Sequence, residues 1–483
     1  MNCLPLIRPL RLLACLFALG ACSGGGGSAS NGGIGGTGAI AKGEIDGFGS
    51  IFVNGIKYNT DSANIFIDDE TSLESNLRLG MMVLVKGEIN EDGLSGTADT
   101  VYYEDEITGP ISSLMLNTDG NEILLDVLDV TIVANKVDTV FENVSFDTLS
   151  INDVIEVSGV PNSAGEIIAS RIQKIENFIS GTSEINIKGR VTNLLASTFS
   201  LGSLTVDFSA ADLSKVSNST LTESMQVKVK GTLSGTTITA DRIKEQNNPL
   251  NDANNEDIKV SIESIITNYI SISNFMLDGI TVDASNASLE PSTLILADGI
   301  RIEAEGMIID GILVASEIKA ENGGIKLHAN VATVSPSENN ITLQFASGDR
   351  ITAIVDNRSR LVDGRGGQNT LSLSDISAGE FVEIKALLGD GDNIIIKKLN
   401  RYDESDDEII QGPVENFTAN SSITILGITY LVDNTAGGTT FEDINDIEID
   451  TNTFFSGLTT GVFIQIKDNE MADGTADKIE YEN

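Results

Sequence analysis

The stretch VKVKGTLSGTTITADRI, residues 227–243, alternates apolar and charged side chains, turns at Gly235 and alternates again. Val227 and Val229 point to one face, Lys228 and Lys230 to the other. A period of two is that of a β-strand with one face on a core. A Gly–Ser turn suits the positive φ of a tight hairpin. The stretch therefore predicts a β-hairpin.

The same phrase is written six times. It recurs as MMVLVKGEINEDGLSGTADTVYYED (81–105), DVIEVSGVPNSAGEIIASRIQKIEN (153–177), MQVKVKGTLSGTTITADRIKEQN (225–247) and IRIEAEGMIIDGILVASEIKAEN (300–322). Two further copies are EFVEIKALLGDGDNIIIKKLNRYDE (380–404) and VFIQIKDNEMADGTADKIEYEN (462–483). Gly87, Gly159, Gly231 and Gly306 close the first strand of four copies and stand 72, 72 and 75 residues apart. That spacing exceeds the roughly 20–50 residues of solenoid and propeller repeats. It falls short of the roughly 100 of an immunoglobulin sandwich.

The front halves also agree. GFGSIFVNGIKYNT (47–60), STFSLGSLTVDFS (197–209), NFMLDGITVDAS (274–285) and SSITILGITYLVD (421–433) each read as strand, tight turn, strand. DEITGPI (105–111) and DEIIQGPV (407–414) echo each other as linkers. Five strands in about 70 residues is the size of an OB-like barrel, and closing a sheet removes exposed edges. The expected fold is all-β, a tandem array of six small five-stranded OB-like barrels, each closing independently like beads. Their expected extents are 39–106, 107–180, 181–247, 248–322, 323–404 and 405–483. Contacts between neighbours are expected to add stability, because so small a barrel buries little surface. In DDETSLESNLRLG (68–80), Asp68 or Asp69 is expected to cap a short helical turn.

Composition agrees with an all-β chain. Of 483 residues, 41% are hydrophobic, Pro numbers 8 and Gly 47. The formal charge is −41. Setting aside Arg8 and Arg11 of the leader, 28 basic residues face 71 acidic ones, for −43. Such a surface repels phosphate backbones, which disfavours nucleic acid.

The chain opens MNCLPLIRPLRLLACLFALGACSGGGG. Two arginines precede an apolar run over 12–21 that is too short to span a bilayer, as in a signal peptide. LGAC (19–22) resembles the bacterial lipobox, which implies lipidation at Cys22 after removal of residues 1–21. LLAC, ending at Cys15, fits more loosely, and a plain secreted protein is the alternative. Ser23 resembles outer-membrane sorting. All three cysteines lie in this leader, so the exported chain has no disulfide. The Gly/Ser-rich stretch 22–38 reads as a flexible tether with a reach of about 20 Å.

GFGSIFVNG (47–55), LGMMVLVKG (79–87) and DGLSGTADTV (92–101) resemble a repeated domain of unknown function found in Gram-negative bacterial lipoproteins. The resemblance runs over nearly all of the chain after the tether. It implies an OB-like barrel and an envelope location, and it carries no catalytic residues.

Signals for chemistry are few. The one histidine, His328, has no imidazole partner for a triad or a multi-histidine metal site, and is expected at a strand surface. Asp68–Asp69, Asp406–Asp407 and the pair Asp390 and Asp392 are candidate acid/base or calcium carboxylates. EF-hand spacing is absent, and LGDGDNI (388–394) aligns with the hairpin turns of the other copies. Phe48, Phe52 and Tyr58 are a candidate aromatic cluster, read as packing. With no Trp and 5% aromatics, base stacking is disfavoured.

The expected function is non-catalytic: a multivalent binding, adhesion or scaffold module, held at the outer membrane by its lipid and facing periplasm or surface. Its expected partners are an envelope protein or polysaccharide, with no cofactor. A carbohydrate-active hydrolase using paired carboxylates and a weakly calcium-responsive envelope protein are the alternatives.

Overall fold

The computed structural model describes residues 37–482, apart from 49, 118–119, 121, 137, 247–257, 291, 293, 322–323, 366–368, 390–392, 404–406, 444–446 and 470–471. The first repeat shows how each barrel closes. Its strands are β1 (Thr37–Gly47), β2 (Ile51–Val53), β3 (Ile56–Asn59), β4 (Asn64–Ile67), β5 (Glu70–Ser72), β6 (Met82–Ile89) and β7 (Ser95–Tyr103). β1 pairs with β2, β2 with β3, β3 with β7 in parallel, β7 with β6, and β6 back with β1. The order 1-2-3-5-4-1 among the five principal strands is that of an OB-like barrel. The polar stretch after β3 supplies the extra hairpin of β4 and β5 and a 3₁₀ turn at Glu74–Asn76. That turn is capped by neither Asp68 nor Asp69, contrary to the sequence expectation. Both instead sit at positive φ in the β4–β5 turn.

The alternating stretches fall where the sequence places them. Gln226–Ser234 and Thr237–Glu245 form the third barrel's hairpin, with Val227 and Val229 wholly buried. The recurrent glycine has a steric cause. A bulge shifts the register after Lys86, Ser158, Lys230 and Glu305, and the glycine comes next. At Gly231 a Cβ would lie 2.1 Å from the carbonyl oxygen of Thr239. Barrel five has Ala386 at the same bulge, so the cost elsewhere depends on how far the partner strand yields. Gly231→Ala is expected to cost about 2 kcal/mol in thermal unfolding; an unchanged melting temperature would refute this steric reading.

The expectation of independent beads is corrected. Barrels two and three share one 12-stranded sheet, while barrels one and four, and five and six, share 13-stranded sheets. The first strand of each barrel makes the joint. β1 pairs in parallel with Lys259–Ser271 of barrel four through Ala39–Lys42. Ile107–Leu116 meets Glu184–Arg190, and Ile325–Ser335 meets Glu408–Thr418, both antiparallel. The physical reason is edge coverage. The N-terminal half of each first strand runs past the second strand, and its bare edge is paired by the other barrel. The cores follow: one hydrophobic cluster runs through barrels two and three, and another through five and six.

The pairs also touch each other. Met82, Val160 and Ile265 form a small apolar cluster where barrels one, two and four meet. Ser170 Oγ donates to the Gly80 carbonyl at 2.6 Å, and Tyr103 Oη to Glu156 Oε1 at 3.0 Å. Residues 36–483 form a single compact unit. Among the described residues, no helix is long and apolar enough to cross a membrane.

Candidate functional site

A cavity of about 500 Å³ lies where barrels one, two, four, five and six meet. No single barrel contains it; the assembly makes it. Among the described residues its wall carries seven acidic and six basic side chains and no aromatic ring. Such a void has room for about 16 waters, so its walls are solvated when no ligand fills it.

Glu44 is the centre of the ion-pair network. It leaves β1 on the face opposite the buried Ile45. Arg360 Nη1 of barrel five reaches its Oε1 at 2.9 Å, and Arg301 Nη2 of barrel four reaches its Oε2 at 3.2 Å. Arg301 also reaches Glu263 Oε1 at 2.7 Å, and the Glu44 backbone N–H donates to Glu263 Oε2 at 3.1 Å. Burial pushes the Glu44 carboxyl above its usual range, with the two arginines opposing. Beside it, burial and then Glu44 and Glu263 push Asp46 well above the carboxylate range. Lys397 pairs with Glu321, and Lys385 of barrel five with Asp138 of barrel two. Burial opposes the Asp138 carboxylate, but Lys385 and Lys398 hold its pKa down to about 2. Burial, with Arg360 beside it, pushes the Lys398 ammonium down to about 8.

The sequence candidates are not brought together there. Asp68 and Asp69 bind Lys228 and Lys244 of barrel three, each at 2.8–2.9 Å, and so hold barrels together. Tyr58 is buried in the first core, while Phe48 is exposed and Phe52 lies under the Lys57 ammonium, 5.6 Å from its ring centre. These three rings therefore make no shared cluster. His328 is half-buried rather than at the surface. Its ring meets Phe381 edge-on at 4.4 Å, and burial lowers its pKa to about 4. Cys22, the leader 1–21, Asp390, Asp392 and Asp406 lie outside the described residues, as does the tether 22–38 up to residue 36. Among the described residues, no group of three or more Asp, Glu, His or Cys side chains is placed to hold a metal.

Sequence reading missed the whole network. One signal was present: residues 323–404 hold nine of the 30 basic residues against eleven acidic ones, in a chain of −41 overall. Barrel five is thus nearly charge-balanced, and it supplies Lys326, Arg360, Lys385, Lys397 and Lys398 to the cavity.

A family profile described as Domain of unknown function (DUF5666) matches residues 37–101, 108–173, 188–244 and 411–480, more than half of the chain. The chain belongs to this family. The matches fall on barrels one, two, three and six. Barrels four and five close with the same strand order. No curated protein matches the chain. Family membership brings no activity with it, so the cavity has to be read from its own chemistry.

Proposed function

We propose that this chain is a lipid-anchored, non-catalytic binding module of a Gram-negative cell envelope, working as one rigid body with a single principal site, the central cavity. The observation that carries the reading is the origin of that cavity: five barrels contribute charged side chains to one space of about 500 Å³. That volume is ordinary for a small-ligand site, and the polar wall selects a hydrophilic ligand. The shared sheets hold neighbouring barrels in register, which supports a preorganised site built from several of them. The lipobox-like LGAC and the Gly/Ser tether support an anchored protein whose folded body stands off the membrane.

Native mass spectrometry after incubation with an envelope oligosaccharide fraction tests the site. The wild type is expected to gain discrete ligand masses. Val133→Trp, which fills the cavity from barrel two, is expected to gain none. Equal binding by both proteins would put the ligand elsewhere and sink the reading. Cleaved products in the wild-type spectra would favour the hydrolase reading instead. Labelled palmitate entering the wild type and not Cys22→Ala tests the anchor.

A further inference from the structure

The cavity wall made by barrels five and six carries a row of cations set side by side across adjacent strands. Arg360 stands opposite Lys398, Lys398 opposite Lys385, and Lys385 opposite Lys326. The row continues through Gln411 to Gln465 in barrel six. All six line the cavity. Directly opposed residues share a face of the sheet, about 5 Å apart, and like charges so placed repel. The fold does not impose this. Aligned on the bulge, with Ala386 in the place of Gly306, the same row in barrel four reads Glu317, Glu305 and Ser261. Where barrel four has Glu317, Glu305 and Ser261, barrel five has Lys398, Lys385 and Lys326; barrel two has Arg171 and Ser158 at the first two positions.

A second observation lies at the far end of the row. Gln465 is 6% exposed. Its Nε2 donates to Gln411 Oε1 at 3.1 Å and to Glu482 Oε1 at 2.7 Å. Its own Oε1 is buried at the cavity wall and has no hydrogen-bond partner among the described residues. That atom calls for a donor from a ligand or a water.

We infer that the cavity binds a small polyhydroxylated oxyanion, an acidic sugar or short acidic oligosaccharide. Its carboxylate or phosphate sits over Lys398 between Arg360 and Lys385, and one of its hydroxyls donates to Gln465. This rests on the cavity being the binding site. Four strand spacings separate Lys398 from Gln465, about 19 Å measured along the curved sheet, which accommodates two or three sugar rings. Among the described residues the wall has no aromatic side chain, and so offers no platform for a nucleobase.

Proton linkage follows from the groups around Lys398. Arg360 on strand Arg350–Asp363 and Lys385 on strand Phe381–Leu388 face it, with Glu383 further along the latter. Asp138 from barrel two and Glu44 from barrel one oppose them. With the ammonium held down to about 8, an arriving anion restores its proton. Binding is therefore expected to take up protons near pH 8 and to weaken above it.

Titration calorimetry with trigalacturonate and its uncharged methyl ester is the test, with glucose 6-phosphate and glucose as the phosphate arm. The wild type is expected to prefer at least one acidic member over its neutral counterpart by ten-fold or more at pH 7. Lys398→Met is expected to lose that preference and, at pH 8, the buffer-dependent heat of proton uptake. Lys326→Met, at a half-buried position, is expected to lose several-fold and guards against a folding defect in the first variant. Whichever arm binds identifies carboxylate or phosphate as the anchor. Equal binding of acid and ester, abolished by Val133→Trp, would overturn the anion seat and keep the cavity as the site. A charge preference that survives in Lys398→Met would overturn the seat too. Binding of none of the four probes would overturn the ligand class, and the envelope-fraction spectra would still decide the cavity.

Discussion

Glu303→Gln is expected to leave stability unchanged near pH 4 and to raise it by about 3–5 kcal/mol above pH 8. Glu303 lies on strand Arg301–Ile309 of barrel four and is 1% exposed. Ser261 Oγ donates to its Oε1 at 2.6 Å. Its Oε2 has no hydrogen-bond partner among the described residues, and the Lys319 ammonium stands off at 3.9 Å. Glu263 lies opposite on one neighbouring strand, and Lys319 on the other. Burial, with Glu321 and Glu305 adding to it, pushes the Glu303 carboxyl up to about 8 against the pull of Lys319. The sign follows. Between about pH 4.5 and 8 the folded protein keeps a proton that the unfolded chain has released. The stability tied to that proton is full below pH 4.5 and is lost as pH rises through 8. A glutamine keeps an oxygen for Ser261 and titrates nowhere. Unfolding curves for both, taken at intervals from pH 4 to 9, are the measurement. A stability difference that stays flat with pH would show that Glu303 ionises freely in the folded protein.

Glu303 also shows where the sequence stops being informative. Alternation identifies it as facing away from its barrel's core, and it does. The strands, the tight turns and the five-stranded closure were legible because each rests on local chemistry: period two, Gly at positive φ, and a recurrent Gly closing the first strand of the hairpin. What covers the outward face is not local. Lys228, Glu303, Glu383 and Lys398 all occupy outward positions that read as solvent-facing, and all are buried. The docking faces carry buried charges beside the shared apolar clusters, so no continuous apolar stripe marks them in the sequence. Pairing was equally silent. Barrel one joins barrel four rather than its chain neighbour, because the bare half of β1 is satisfied by hydrogen bonds any strand edge can offer. The cavity inherits both difficulties, since its charged residues come from five separate segments and converge only after docking.

The same polar docking sets the expected result for Lys228→Met: a loss of about 3–5 kcal/mol, largely recovered in the double variant Lys228→Met, Asp105→Asn. Lys228 Nζ lies 2.7 Å from Asp105 Oδ1 and 2.9 Å from Asp68 Oδ1. The Lys228 side chain is 8% exposed and that of Asp105 1%. Burial opposes both charges, yet Asp105 holds the Lys228 ammonium above its usual range and Lys228 holds the Asp105 carboxyl below its own. Taking away the ammonium leaves a buried carboxylate with two neutral donors, Thr108 Oγ1 at 2.6 Å and Asn186 Nδ2 at 2.9 Å. Those are too few to replace water around a full charge. The single variant is therefore expected to regain stability as pH falls toward 5, where Asp105 picks up the proton its lost partner no longer excludes. The wild type, with Asp105 held low, is expected to show no such gain from this site. Denaturant unfolding of the wild type, both single variants and the double variant measures the coupling. A double variant no more stable than Lys228→Met would mean that the cost came from the lost lysine stem rather than from the stranded charge. The joint between barrels one and three would then be held by packing, with its remaining ion pairs at Lys244 as minor contributors.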